Sequence, residues 1–245
     1  MRYSMTDGVF DVRIKEYKRP DVRGGIVIDG FPSSSLVTSL VASYLVAHLK
    51  MDQVAFVESA HFPPVAFVYG GKPRYPARVY VEEELKLAAF VSEFNIPLGL
   101  SRAVANSLLD WSLKNGCEMV ISTLSVPKES GDAVIYGIGS TERSREMISK
   151  AGIEQLAIGV VPGVPGVLLC EGRWNNFDVV VLLVEASEDT PLFAAAAMLL
   201  EALTKLVPRI KIDLEPLYRE AKAIQDRLRS LREVAQAAER KPMYG

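Results

Sequence analysis

Cysteine and histidine are scarce in this chain, with two of each among 245 residues. Cys117 and Cys170 stand far apart with no Cys-x-x-Cys spacing. That argues against a disulfide framework or a thiolate metal site and fits a reducing, cytoplasmic compartment. Excess charge is missing too: 28 basic side chains face 30 acidic ones, for a formal charge of −2. A general nucleic-acid binder needs a strong positive field, so that class is set aside. Long hydrophobic runs are also lacking. The most apolar stretch, residues 157–170, is interrupted by Pro162 and Pro165 and falls short of the roughly twenty residues a membrane span requires. The first eight residues carry charge early and hold no apolar signal core, so the chain reads as a soluble protein. What it does have is 49% hydrophobic and 24% charged residues, which excludes a disordered chain. At about 150 residues per domain it is one large domain or two small ones, with enough length to bury a core without staples.

Periodicity reads as alternating strands and helices. Residues 26–28 and 54–57 are short apolar runs expected as buried strands. Between them Leu36, Val37, Leu40, Val41, Tyr44, Leu45, His48 and Leu49 recur at helical spacing, with one of Ser33, Ser34 or Ser35 placed to cap the helix. The two strands of such a unit should be parallel. Residues 65–69 and 78–81 read as two strands joined through Gly70, Gly71 and Pro73, a hairpin insertion. Residues 86–94 read as a strand, with a helix the alternative for so short a run, and 100–115 read as a helix stopped at Gly116. Residues 119–123, 133–138 and 156–161 read as strands, and 142–151 as a helix ending at Gly152. The run 179–184, apolar on both faces, should lie centrally. The helix expected over 192–207 opens on nine nonpolar residues, so it is either buried nearly all round or faces a partner. A last helix is expected from 214 to about 239. Its Leu217, Ala221, Ile224, Leu228, Leu231, Ala235 and Ala238 step by 4, 3, 4, 3, 4, 3, a heptad seam that lies along the body or zips onto a copy of itself. The expected organisation is an α/β core over 1–213, a C-terminal helix over 214–239 and a projecting tail over 240–245.

Catalytic equipment is thin. His48 lies on the apolar face of the first helix and reads as a core or rim residue satisfied by a hydrogen bond. His61 follows a strand end, where ligands of open sheets often sit. Gly99-Leu-Ser101-Arg-Ala103 lacks the second glycine of a nucleophile elbow. Gly137-Ile-Gly139-Ser140-Thr141-Glu142 lacks the third glycine of a dinucleotide loop, and Glu142 already complements that helix start. Gly30 and the hydroxyls that follow it could hold an anion at a helix N-terminus, although no P-loop lysine follows. Residues 82–84, three glutamates, read as a solvated turn, and both cysteines read as buried small hydrophobes. No metal or cofactor is expected. The end of the chain stands out more. Arg240-Lys241-Pro242 should leave Met243, Tyr244 and Gly245 projecting, and a tail that carries an aromatic and a methionine is favoured where something receives them.

Several of these residues together point to a family. Gly30-Phe-Pro, Leu36-Val and Ala42-Ser-Tyr-Leu45, then Gly163-Val-Pro-Gly166-Val-Leu-Leu, then Pro191 with Ala194-Ala-Ala196, and finally Asp213-Leu-Glu-Pro-Leu217 occur in order. From about Gly24 onward the chain thereby resembles the archaeal proteasome assembly chaperone family, the family of the second proteasome assembly chaperone. Where that family carries glycines after Gly-Phe-Pro, this chain has Ser33, Ser35 and Thr38. The resemblance implies a three-layer α/β/α sandwich, phosphorylase-like and without catalytic residues, with a mostly parallel sheet. It implies an ATP-independent chaperone or adaptor that binds proteasome α-subunits. Met243, Tyr244 and Gly245 match the hydrophobic–tyrosine–any-residue terminus that enters a pocket between α-subunits, its carboxylate pairing with a partner lysine. Three residues supply only roughly −6 to −8 kcal/mol at drug-like efficiency. Several tails presented together gain a factor of about 10²–10⁴, so a homo-oligomer is expected, with the 192–207 helix or the heptad seam supplying contacts. Two other readings stay open. One is a phosphorylase-like enzyme using the Gly30 loop for an anion and His61 as acid/base; the other is a structural oligomer in which the tail is masked.

Overall fold

The computed structural model describes residues 11–32, 36–187, 190–219 and 222. A nine-stranded sheet forms the middle layer, in the order β1-β3-β6-β7-β2-β8-β11-β9-β10. Its centre is β7 (Leu87–Ser92), β2 (Ile26–Gly30), β8 (Met119–Pro127) and β11 (Asp178–Ala186), all parallel. Antiparallel pairing takes over on both sides. On one flank lie β6 (Ala77–Glu82), β3 (Asp52–Ser59) and the edge strand β1 (Val12–Glu16). On the other, β9 (Val134–Gly139) runs against β11 and pairs with the two-residue β10 (Glu154–Gln155). The central strands are apolar on both faces because helices cover both, which leaves no side of the pleat for water.

Three helices cover one face: α1 (Val37–His48), α3 (Glu142–Lys150) and α5 (Leu192–Leu206). The other carries α2 (Ser101–Lys114) and α4 (Gly163–Asn175), which pack on each other. Along each strand, alternate residues enter the two cores. Ile26 and Ile28 face α1 and α5, while Val27 faces α2 with Phe90 and Trp111. The expected α/β/α sandwich is the observed architecture, and the sheet places its parallel strands at the centre. No helix among the described residues is long and apolar enough to cross a membrane.

Several local expectations are corrected. The strands 26–28 and 54–57 do point the same way, yet they are not neighbours, since β7 and β6 stand between them. Residues 65–69 do not pair with 78–81. Gly70 and Gly71 both take positive φ, +56° and +75°, which closes a tight two-residue turn. The hairpin is therefore β4 (Phe67–Tyr69) with β5 (Lys72–Arg74), and Arg78 belongs to β6 in the main sheet. Residues 156–161 form no strand. Leu156 and Val161 pack inward while Ile158 and Val160 stand 93% and 84% exposed. The Gly163-Val-Pro-Gly166 segment forms the first turn of α4. Pro165 is tolerated there because first-turn N–H groups have no intrahelical acceptor. A Cβ on Gly166 would lie 2.0 Å from the Val161 carbonyl oxygen, so glycine lets the loop backbone cross the helix directly.

The long apolar helix resolves in favour of burial. α5 buries Ala195, Ala196, Ala197, Leu199, Leu200, Leu203 and Leu206 against the sheet and α1, so most of its apolar surface is spent on the protein's own core. The last helix begins at residue 215, with Leu217 4% exposed in the same core. The Asp213 carboxylate accepts from the Glu215 N–H at 3.0 Å, and the Tyr218 hydroxyl donates to Glu201 at 3.1 Å. Its start therefore docks on the body. The remainder of the heptad seam lies outside the described residues, as does the serine cap at 33–35.

Candidate functional site

The C-terminal ends of the parallel strands are where an α/β sheet usually places its chemistry, and here they hold a buried polar cluster. Asp29 is the penultimate residue of the otherwise apolar strand β2 and is wholly buried. Its carboxylate accepts from the Phe31 N–H at 3.0 Å and from the Ser122 hydroxyl at 2.7 Å. Burial pushes the Asp29 carboxyl up to about 6, with those two donors opposing the shift. Two hydroxyls of α1 tie its first turn to the same strand ends: Thr38 donates to the Thr123 carbonyl at 2.8 Å, and Ser39 to the Ser92 carbonyl at 2.6 Å. Gly30 fits because a Cβ there would lie 2.2 Å from the Phe90 carbonyl oxygen and 2.3 Å from the Ala42 Cβ. Phe31 then turns into the core against Phe90, ring centroids 5.8 Å apart. The Gly30 loop is thus held from below by Asp29 and from above by α1. The sequence reading missed Asp29 as a buried group; an acid closing a run of Ile-Val-Ile was the available signal.

The other candidates are dispersed. His48 accepts a hydrogen bond from the Asp213 N–H at 3.4 Å and stacks on Tyr44 at 5.8 Å, which is the rim role expected of it. His61 is exposed in the loop after β3, its N–H donating to the Ser59 hydroxyl at 3.2 Å. Ser101 opens α2 with its side chain buried. The Gly137–Glu142 segment is a helix start: Thr141 and Ser144 form a reciprocal capping box, and Thr141 also hydrogen-bonds Asp178. Gly137 and Gly139 leave room there for Ile148 and Ser144. Glu82 closes β6 and Glu83 and Glu84 enter the turn to β7, Glu82 accepting from the Leu85 N–H at 2.5 Å. Cys117 is buried and burial pushes its thiol up to about 12. Cys170, expected to be buried, is exposed on α4, because the outward side of that helix carries it. Among the described residues no group of three or more His, Cys, Asp and Glu side chains could hold a metal ion. Met243, Tyr244 and Gly245 lie outside the described residues.

Sequence reasoning also missed a second cluster, at the root of the hairpin. Arg78 is 4% exposed. It donates to the Tyr80 hydroxyl at 2.8 Å and the Tyr75 carbonyl at 2.7 Å, and pairs with Glu93.

Comparison with known proteins decides what this framework belongs to. The PAC2 family model matches residues 27–232. The chain belongs to the PAC2 family. Among PAC2-like structures it is similar to Pyrococcus furiosus PbaA, described as an archaeal homolog of proteasome-assembly chaperone. The match has 29% identity and a TM-score of 0.82, over 94% of this chain and 95% of that one. It is similar in fold to P. furiosus PbaB, described as an archaeal proteasome activator, with 24% identity, a TM-score of 0.73, and 90% and 98% of the two chains covered. An uncharacterised protein of Methanocaldococcus jannaschii is 27% identical over 244 residues, 96% of this chain and 99% of that protein. The PAC2 match begins inside β2 and takes in the Gly30 loop, α1, the α4 start, α5 and the Asp213–Leu217 segment, all of which carried the resemblance in the sequence.

Proposed function

We propose that this PAC2 protein is a non-catalytic, ATP-independent chaperone or adaptor of proteasome assembly. It binds proteasome α-subunits through Met243, Tyr244 and Gly245. The observation that carries this reading is the 29% identity with PbaA over nearly the full length of both chains, together with a terminus of the hydrophobic–tyrosine–any-residue form. Met243 supplies an apolar anchor, Tyr244 an aromatic body with a polar tip, and Gly245 a free carboxylate for a partner lysine. No bond is made or broken in such work, and no cofactor is called for. The near-neutral, cysteine-poor composition suits a cytoplasmic location. Because one short tail binds weakly, function requires several copies acting together.

The test is capture by an archaeal α-ring of the full chain and of a chain lacking residues 243–245. The full chain is expected to be retained, and the shortened chain to lose at least a hundredfold in affinity. Equal capture of both would remove the tail from the mechanism.

A further inference from the structure

The flank of the sheet formed by β6, β3 and β1 is packed under helices on one face only. Val79, Val54 and Val12 turn into the core on the side of α2, while the helices on the side of α1 lie over β2, β7, β8, β9 and β11. Alternate residues of a strand point to opposite faces. The face those helices leave therefore carries Lys15, Phe56 and Arg78 side by side, in register across β1, β3 and β6. Aromatic rings gather over this row. Tyr75 stacks on Phe56 at 3.8 Å with 9° between the planes, and the Tyr17 ring lies 6.1 Å from Phe56. The Tyr69 ring, on the hairpin, lies 5.8 Å from the Arg78 guanidinium. Tyr17, Tyr69 and Tyr75 are 58%, 47% and 49% exposed, so about half of each ring is left for something else to pack against.

The rings are held in place and the local charge is selective. Arg78 binds the Tyr75 carbonyl and the Tyr80 hydroxyl from beneath. Gln53 donates to the Tyr17 hydroxyl, whose own O–H stays available as a donor. A surface fixed in this way loses little entropy on binding. Lys15 and Arg78 are neutralised by Glu58 and Glu93. Lys72 pairs across the hairpin with Tyr69, and Arg74 lies 5.5 Å from the same ring. These two cations are exposed and have no ion pair among the described residues. Two cations at one end do not make the continuous positive groove that a single-stranded nucleic acid follows. A polyproline II segment fits better. Its pyrrolidine rings pack on aromatic side chains, and its carbonyls, which have no internal partners, accept from tyrosine hydroxyls. An acid at its end meets Lys72 and Arg74.

We propose that the face built from Tyr17, Phe56, Tyr69 and Tyr75 binds a proline-rich segment of a partner protein in the polyproline II conformation, with an acidic residue of that segment against Lys72 and Arg74. This site is separate from residues 243–245 and goes beyond the proposed function: it gives the protein a second point of attachment, whose partner is recognised by proline and carboxylate.

Isothermal titration calorimetry on the full chain tests it. The probe is an acetylated, amidated peptide of about nine prolines, three turns of polyproline II, followed by Asp-Glu. Saturable binding is expected. Replacing its prolines with glycine is expected to weaken binding by about tenfold or more, because the extended shape is then no longer preformed. Tyr75→Ala and Tyr17→Ala are each expected to weaken it by about tenfold or more at an unchanged melting temperature, and Tyr75→Phe to retain most of it. The pair K72E and R74E is expected to reverse the preference, so that a peptide ending in Lys-Lys binds better than one ending in Asp-Glu. A chain lacking residues 243–245 is expected to bind the peptide as the full chain does, so this site and the tail fail independently. A glycine peptide that binds equally well, alanine variants that bind normally, or a preference that survives charge reversal would each overturn the proposal. Tighter binding of an oligothymidylate of matched length would assign the face to nucleic acid instead. No binding of any peptide would assign it to another occupant, and either result overturns the proposal.

Discussion

At the scale of single residues, Asp29 is a carboxyl wholly removed from water. Its ordinary value near 3.8 is raised to about 6 by full burial. The folded protein therefore holds this proton more tightly than the unfolded chain does. The stabilising contribution is complete below about pH 4 and is lost as pH rises through 6, a swing of about 3 kcal/mol. Asp29→Asn keeps an acceptor for the Phe31 N–H and removes the buried charge. Guanidinium unfolding at pH 4.5 and pH 7.5 should show the variant gaining about 1–3 kcal/mol on the wild type between the two. A difference that is flat with pH would mean that the carboxyl is solvated. The same residue shows how a site hides in a sequence. Asp29 reads as the polar stop of a strand, and only its neighbour on β8, Ser122, 93 positions away, reveals that it is a buried acceptor.

At the scale of elements, the glycines distinguish close approach from mere flexibility. Gly30→Ala would push a methyl group against both the Phe90 carbonyl and Ala42 and is expected to cost about 3 kcal/mol or more. Gly99→Ala meets nothing within 4 Å and should stay within about 0.5 kcal/mol of the wild type. Thermal melts of the two variants side by side measure the contrast. Element type was largely legible from the chain itself. The two-sided apolar runs at 26–28 and 179–184 could only be covered strands, and Gly116 and Gly152, both at φ +69°, mark helix ends. Pairing was not legible in the same way. Strands β2 and β3 flank one helix in the chain, but β7 and β6 insert between them from farther along it, and hydropathy carries no record of that. The α4 helix escaped notice because its first turn is built from Gly, Val and Pro, whose intrinsic preferences point to a loop and are overridden by packing against Val161.

At the scale of the whole molecule, the proposed function makes affinity for an α-ring depend on several tails acting together. A peptide that carries residues 240–245 alone presents one tail. It is expected to bind a surface-immobilised α-ring about 10²–10⁴ times more weakly than the full chain. Biolayer interferometry at matched chain concentration measures this, and unaltered binding would mean that a lone tail suffices. The tail and the hairpin were unevenly readable. Met243, Tyr244 and Gly245 are legible as a short pattern of residue types that owes nothing to packing. The hairpin was obscured by the reading that paired residues 65–69 with 78–81, which placed its exposed side chains inside a larger ribbon.

The two tryptophans divide between the interior and the surface. Trp111 on α2 is 4% exposed and meets Phe90 edge-on at 5.3 Å, while Trp174 near the end of α4 is 86% exposed. Native emission is therefore a sum of a blue-shifted, quencher-shielded component and a red-shifted one that iodide reaches freely. Replacing Trp174 with Phe leaves a fluorophore that reports on the core alone, whereas Trp111→Phe leaves one that responds to whatever comes to rest beside α4.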